Sequence, residues 1–288
     1  MIAKIKDTIK NFSELVAFTH SVFSLPFIFI AMIVGTNGWF GWKLFAFGLI
    51  ASISARNFAM AFNRYTDRKF DKTNERTKNR PSVDGRISGN AILVFVLINA
   101  LIFIAMGYLI NPLCFYLSIP ILVVLASYSL MKRISFLAHL VLGLSLGLAP
   151  IAGIAAVSGE IPLWSVLLCV GVLFWVGGFD LLYSLQDIEH DKKEGLHSIP
   201  SHFGVQKTLY ISRIFHFLTL TFWGLFIYLA ELGVIMWIGL LVATFALVYE
   251  QYLVAKNFQN IPRAFFTVNG YLGIVFFLFC LADIIVRA

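Results

Sequence analysis

Nine apolar stretches of span length follow one another along the 288 residues of this chain. They lie at about 14–34, 41–62, 91–110, 112–131, 134–157, 162–184, 208–229, 233–254 and 264–285. A helix needs about 20 such residues to cross the hydrocarbon of a bilayer. Lipid offers backbone N–H and C=O groups no partner, so only helices and closed barrels span it. A barrel would show alternating segments of about 10 residues, and this sequence has none. The fold expected is therefore all-α and integral to the membrane, one domain over residues 1–288 with nine transmembrane helices in a bundle. Only 13% of the residues are charged, against roughly 25% in a soluble domain.

The divisions between the third, fourth and fifth spans rest on thin punctuation, Asn111-Pro112 and Lys132-Arg133. No cleavable signal peptide is expected, because the first apolar stretch is span length and has no A-x-A-like site. Cys114, Cys169 and Cys280 all fall within spans and are too scattered for a disulfide framework or a thiolate metal site. Nine spans put 18 of the 22 Lys and Arg on one side, with Lys43 and Arg287 on the other and Arg56 and Arg213 inside spans. The positive-inside rule places that richer side, which carries the N-terminus, in the cytoplasm. The +7 net charge is explained by orientation and anion binding. It requires no nucleic-acid partner, and nothing indicates an obligate protein partner.

Two acidic repeats sit at the exits of the second and sixth spans. The first runs Asn63-Arg-Tyr-Thr-Asp67-Arg-Lys-Phe-Asp71, and the second Asp180-Leu-Leu-Tyr183-Ser-Leu-Gln-Asp187-Ile-Glu-His-Asp191. Asp67 and Asp187, Asp71 and Asp191, and Asn63 and Tyr183 are each 120 positions apart. This offset predicts related halves, about 14–131 and 134–254, with 264–285 as an added ninth helix. Carboxylates at i and i+4 share a helical face. Arg56 falls two turns before Asn63 on the same stripe, and an intramembrane arginine is costly unless it serves a site or snorkels. Glu75-Arg76-Thr77-Lys78-Asn79-Arg80-Pro81 adds three cations in five residues. Carboxylates amid cations suit a ligand that is itself anionic and metal-bound. Mg²⁺ fits, since it takes one or two carboxylates and shares its other positions with phosphates, while arginines neutralise the remaining charge.

Asp180 lies inside the sixth span and needs a partner. Lys192, Lys193 and His197-Ser198 follow the second repeat, and Gly195 is expected to end that helix. A third polar element, Tyr128-Ser-Leu-Met-Lys132-Arg133, lies on the same side, with Tyr128 and Lys132 on one face. His139 and His216 read as packed and hydrogen-bonded, and His190 as solvated. Gly143-x-x-x-Gly147 and Gly153 give the fifth span a small-residue face for close packing. The aromatic fraction of 16%, with 29 Phe, offers lining for a long isoprenoid chain.

These motifs resemble the UbiA-type membrane prenyltransferase superfamily. Its first motif, N-D-x-x-D-x-x-x-D followed by R-T-x-x-R-P, is matched by Asn63, Asp67 and Asp71, then Arg76-Thr77 and Arg80-Pro81. Its second, D-x-x-Y-x-x-x-D-x-x-x-D followed by K/H-S, is matched by Asp180, Tyr183, Asp187 and Asp191, then His197-Ser198. The branch most resembled is the 4-hydroxybenzoate polyprenyltransferases and their relatives in menaquinone synthesis. Arg64 replaces the acid that follows the motif asparagine, which removes one potential metal ligand and leaves the aromatic acceptor open. Haem O synthases also lack that acid, but their second motif differs.

The resemblance implies a central cavity open to lipid and Mg²⁺ at Asp67, Asp71, Asp187 and Asp191. Arg76, Arg80, Lys132, Arg133, Lys192 and Ser198 would bind diphosphate. Asn63, Arg56, Tyr183, Asp180 and Tyr128 would act nearer the chemistry. Arg56 would serve either the diphosphate or an acceptor carboxylate. Residues 72–90 are the expected lid. The activity implied is Mg²⁺-dependent transfer of a polyprenyl group from its diphosphate to an aromatic acid in ubiquinone or menaquinone synthesis. 4-Hydroxybenzoate leads as acceptor, and a dihydroxynaphthoate or haem is the alternative. The place implied is a bacterial-type inner or plasma membrane, with N-terminus and active-site loops cytoplasmic. A secondary transporter is the rival from another class, but its site belongs near the midplane. The D-G-x-x-A-R motif of CDP-alcohol phosphotransferases is absent.

Overall fold

The computed structural model describes residues 2–16 and 25–287, and among these it is helical throughout, without strands. The helices are α1 (Ile2–Leu15), α2 (Leu25–Thr36), α3 (Trp42–Thr66), α4 (Arg68–Asp71), α5 (Gly89–Ile110), α6 (Pro112–Met131), α7 (Ala138–Ser158), α8 (Leu163–Ser184), α9 (Ile188–Lys193), α10 (Ile199–Leu229), α11 (Val234–Lys256) and α12 (Asn269–Arg287). Among the described residues, eight helical runs are long and apolar enough to cross a membrane, and α2 adds a shorter apolar helix. The eight correspond to the second to ninth predicted spans. The first, 14–34, falls partly on 17–24, outside the described residues.

Local chemistry sets the boundaries. Asn111 ends α5 in extended backbone, and its side chain accepts from the Cys114 N–H to cap α6, with Pro112 at the first helical position. Ser198 caps α10 through a reciprocal pair with Ser201, so α10 begins nine residues before the predicted span. Polar residues depress hydropathy over that first stretch, and Gly204 (φ 77°, ψ 173°) breaks its helical path. Gly195, at φ 67°, stops the helix after the second acidic repeat as expected.

Between lipid-embedded helices the driving force is close packing, because lipid tails are as apolar as leucine. The small-residue face of α7 meets α8 and α2 as predicted. A Cβ at Gly147 would lie 2.7 Å from the Cys169 carbonyl oxygen, and one at Gly143 or Gly153 would overlap the carbonyl of Leu173 or Ile28. One apolar core gathers Phe27, Trp175, Trp223 and Phe276 from α2, α8, α10 and α12. A second joins α3, α5 and α6 around Phe58, Ile92 and Leu125. Large side chains such as Leu101, Tyr116 and Phe245 are more than 60% exposed, which suits a lipid-facing surface. The polar ends of α3, α6 and α8 lie together at one end of the bundle, where the acidic repeats meet.

Candidate active site

The first acidic repeat straddles a helix break. α3 ends at Thr66, Asp67 has non-helical backbone (φ −90°, ψ 3°), and α4 begins at Arg68. Asn63 Nδ2 donates to Asp67 Oδ2 at 2.7 Å across the break. Arg64 Nη1 donates to Asn63 Oδ1 at 2.9 Å, which fixes the amide. From the far side of the loop, Arg133 Nη2 donates to Thr66 O at 2.7 Å and Asp67 Oδ1 at 3.1 Å. Its guanidinium covers the Phe70 ring. The Arg at position 64 thus holds the neighbouring motif residues.

The second repeat leaves α8 through one 3₁₀ turn, Leu185–Asp187, and re-enters a helix as α9. That turn brings both Asp187 and Asp191 to the cavity. Segment 72–88 crosses between the two repeats as a strap of turns. Arg80 Nη1 donates to both oxygens of Asp71, at 2.7 and 2.8 Å. Arg76 Nη2 donates to Asp187 Oδ2 at 2.6 Å and its Nη1 to the Tyr183 hydroxyl at 3.1 Å. Asn74 Nδ2 reaches Asp187 Oδ1 at 3.2 Å, and Thr73 Oγ1 reaches Glu194 Oε1 at 2.9 Å. The segment expected to be a lid is therefore docked on both acidic repeats.

Between them lies a cavity of about 410 Å³. Asp67, Asp71, Asp187 and Asp191 all line it, with the cations Arg56, Arg64, Arg76, Arg80, Lys132 and Arg133 and with Asn63, Tyr128, Asp180 and Tyr183. A second, mostly apolar cavity of about 150 Å³ shares Arg56, Met60, Tyr128, Leu142 and Leu146 as lining with the first. A charged chamber and a greasy one thus meet at Arg56 and Tyr128. Asp180 finds its partner in buried His139, Nδ1 to Oδ2 at 2.7 Å, so this histidine is packed and hydrogen-bonded as read from sequence.

Two predicted site residues are not brought to the cavity. Ser198 is fully buried as the N-cap of α10, its hydroxyl committed to Ser201. Lys192 is exposed and outside the lining, because α9 turns Asp191 inward and the next residue outward. Sequence reasoning missed Asn74, and it missed Phe179, Phe265 and Phe266, which line the wall beside Tyr183. Nothing distinguished those three among 29 phenylalanines. His190, read as solvated, lies on the cavity lining.

Electrostatics follow from this enclosure. Asp67 is held above the usual carboxylate range by burial first, with neighbouring Asp71 adding and Arg133 opposing. Burial works against the charge on Lys132, but Asp191, Asp180 and Asp187 outweigh it and raise its pKa. Asp187 and Tyr183 do the same for Arg76. Both cations stay charged at neutral pH. Asp191 is 2% exposed. Among the described residues its Oδ2 accepts no hydrogen bond and has only Lys132 Nζ, at 3.9 Å, as a salt-bridge partner. An orphaned carboxylate oxygen of this kind fits a further cation. Among the described residues no three acids, histidines or cysteines converge into an all-protein metal cage. Mg²⁺ does not need one, as it is commonly held by one or two carboxylates plus substrate phosphates.

Comparison with known proteins agrees with this architecture. The profile of the UbiA prenyltransferase family matches residues 24–281. The chain is 31% identical over 237 residues to the 4-hydroxybenzoate octaprenyltransferase of Tolumonas auensis, covering 81% of this chain and 82% of that one. It is 32% identical over 253 residues to the enzyme of the same name from Xanthomonas campestris pv. campestris (strain B100), covering 85% and 81%. Its fold matches the apo structure of a UbiA homolog from Aeropyrum pernix K1 with TM-score 0.84 and 27% identity, over 92% of this chain and 98% of that one. It also matches a UbiA homolog from Archaeoglobus fulgidus bound to GPP and Mg²⁺, with TM-score 0.79 and 19% identity over 95% and 99%. With two acidic loops, a cation-lined chamber and a family match over nine-tenths of its length, the chain belongs to the UbiA prenyltransferase family and is an integral membrane enzyme that transfers prenyl groups.

Proposed function

We propose that this enzyme transfers a polyprenyl group from polyprenyl diphosphate to an aromatic acid, with 4-hydroxybenzoate as the leading acceptor, and that it does so with Mg²⁺ in a quinone pathway. The observation that carries the reading is the junction of the two chambers. Five aspartates and six lysine or arginine side chains surround a space sized for a diphosphate, and an apolar cavity for the isoprenoid tail adjoins it at Arg56 and Tyr128. The relatives named 4-hydroxybenzoate octaprenyltransferase support the acceptor.

Asp67, Asp71, Asp187 and Asp191 would hold the metal. When bound, Mg²⁺ supplies charge neutralisation on the diphosphate oxygens. The cations that pair with the aspartates would then turn to the leaving group. Arg76, Arg80, Lys132 and Arg133 stabilise the negative charge that develops as the C1–O bond breaks and its electron pair leaves with the diphosphate. The ring carbon beside the hydroxyl-bearing carbon forms the new bond to C1. The ring proton is then lost to a diphosphate oxygen. Arg56, on the seam, serves the diphosphate or the acceptor carboxylate. The docked strap 72–88 excludes water, which would otherwise convert the allylic cation to an alcohol. Lysine and arginine asymmetry supports a cytoplasmic location for the N-terminus and the acidic loops, in a bacterial-type inner or plasma membrane.

The test offers radiolabelled polyprenyl diphosphate and Mg²⁺ to purified protein in liposomes, with 4-hydroxybenzoate and a dihydroxynaphthoate in parallel. Prenylated 4-hydroxybenzoate as the main product is the outcome expected. Product with the naphthoate alone would move the enzyme to menaquinone synthesis. Donor bound without product from either acceptor would refute both.

A further inference from the structure

Behind the aromatic wall of the charged chamber lies a buried polar junction that the transfer chemistry above does not use. After α11 the chain passes through one six-residue π-helical turn, Arg263–Val268, before α12 begins at Asn269. Such turns carry an extra residue per turn and concentrate at functional sites. Asn269 is fully buried and closes this one twice. Its backbone N–H donates to Ala264 O, and its side-chain Nδ2 donates to the same carbonyl at 3.1 Å. The second hydrogen of Nδ2 goes to Glu250 Oε1 of α11 at 2.7 Å. Oδ1 accepts from Trp175 Nε1 of α8 at 2.8 Å. Both donors and the carbonyl oxygen of this amide are therefore engaged, by a π turn and by two other helices.

The turn presents Phe265 and Phe266 to the chamber. Phe265 packs on Tyr183 with ring centroids 4.2 Å apart, and Phe266 stands edge-on to Tyr183 at 6.0 Å. Phe265 also meets Phe179 edge-on at 5.1 Å, and Trp175, the third partner of Asn269, meets Phe179 at 5.2 Å. Both sides of the aromatic wall thus hang on one amide. The wall meets the strap at Tyr183, where the Arg76 guanidinium lies over the ring 5.3 Å from its centroid.

We infer that Asn269, braced by Glu250, is a positioning residue for the transferase reaction: it fixes the π turn that sets Phe265 and Phe266 beside Tyr183 as the face that shields the allylic cation from water. This rests on the prenyl-transfer reading above. Aromatic faces attract cations, and Phe265 and Phe266 add no polar group to seat a water, while the Tyr183 hydroxyl is engaged by Arg76 Nη1 at 3.1 Å. Loosening the junction leaves donor binding intact, because the aspartates and cations sit on other elements. What changes is the fate of the cation, captured by acceptor or by water, the latter giving prenyl alcohol with its proton passing to diphosphate.

The experiment measures the ratio of prenyl alcohol to prenylated acceptor, with the KM for donor, in wild type, Asn269→Leu/Glu250→Leu, Phe265→Leu and Glu250→Gln. The double variant removes both partners, so that no buried carboxylate is stranded. Expected is a rise in the alcohol ratio of roughly fivefold, the size of one cation–π contact, in the double variant and in Phe265→Leu, with donor KM unchanged. Glu250→Gln keeps an acceptor for Asn269 and retains the wild-type ratio. Should the double variant fail to fold, Phe265→Leu alone decides. A folded Phe265→Leu or double variant with the wild-type ratio overturns the inference. A wild-type enzyme that yields no prenylated acceptor refutes the transfer reading instead.

Discussion

Replacing Arg76 by methionine cuts the main tie between the strap and the second acidic repeat while keeping bulk against Tyr183. In the folded protein Arg76 donates to both oxygens of Asp187, at 2.6 and 3.3 Å, and Asp187 has a side chain only 9% exposed. A hydrogen bond between charged groups contributes about 1.5–3 kcal/mol. The arginine side chain is 35% exposed, so solvent screening reduces that figure, and Asn74 continues to hold one oxygen. A loss of about 2 kcal/mol of docking energy is reasonable, and it corresponds to roughly 30-fold more frequent opening. The reporters are strap amides closed by internal turns, Lys78 to Asn74, Val83 to Arg80 and Ile87 to Pro81. Hydrogen exchange by mass spectrometry on peptides covering 74–88 should accelerate by about that factor in Arg76→Met, with α10 and α11 unchanged. Strap exchange within twofold of wild type would show that this pair does not hold the segment. A uniform rise across all helices would show that the loss is global, and the strap argument would fail equally.

Three further outcomes are expected. Gly143→Ala places a methyl group against the Leu173 carbonyl, so α7 and α8 must part; detergent thermal unfolding should show a loss of about 1–3 kcal/mol, and an unchanged midpoint would contradict the close-packed face. Arg56→Ala should lower kcat/KM by about a hundredfold, as when a preorganised charge donor is removed, with helical circular dichroism intact; near-normal kinetics would return Arg56 to a structural role. A raised carboxyl pKa means that Asp67 takes up its proton at higher pH than an ordinary aspartate, near 4, and a metal must compete with that proton. The Mg²⁺ concentration for half-maximal activity should therefore climb as pH falls, beginning above that value. A Mg²⁺ requirement flat down to the ordinary aspartate range removes Asp67 from the metal site.

Much of this architecture was legible because single residues carry it. Asn111-Pro112 and Gly195 mark helix ends by capping chemistry that works at short range, and both behave as read. The acids and cations at the exits of the second and sixth spans announced the chamber because charge so near lipid has few other uses. Other features stayed hidden for physical reasons. Ser198 looks the same whether it binds phosphate or caps a helix, and only the reciprocal bonds with Ser201 decide. Lys192 follows Asp191 directly, and an adjacent residue on a helix points about 100° away. The early start of α10 is invisible to hydropathy, although its Ser-x-x-Ser start is a capping signal. The π turn has no sequence signature of its own. Phe265 and Phe266 gain significance only from Asn269, a polar residue buried in an apolar run, which was the one available hint.

The most direct test is donor binding with and without metal. Titration of polyprenyl diphosphate into the purified enzyme in liposomes should show tight binding with Mg²⁺, loss of that binding on adding EDTA, and loss again in a folded Asp191→Asn variant. Equal binding in all three conditions would contradict the assignment of the four-aspartate chamber as a metal–diphosphate site.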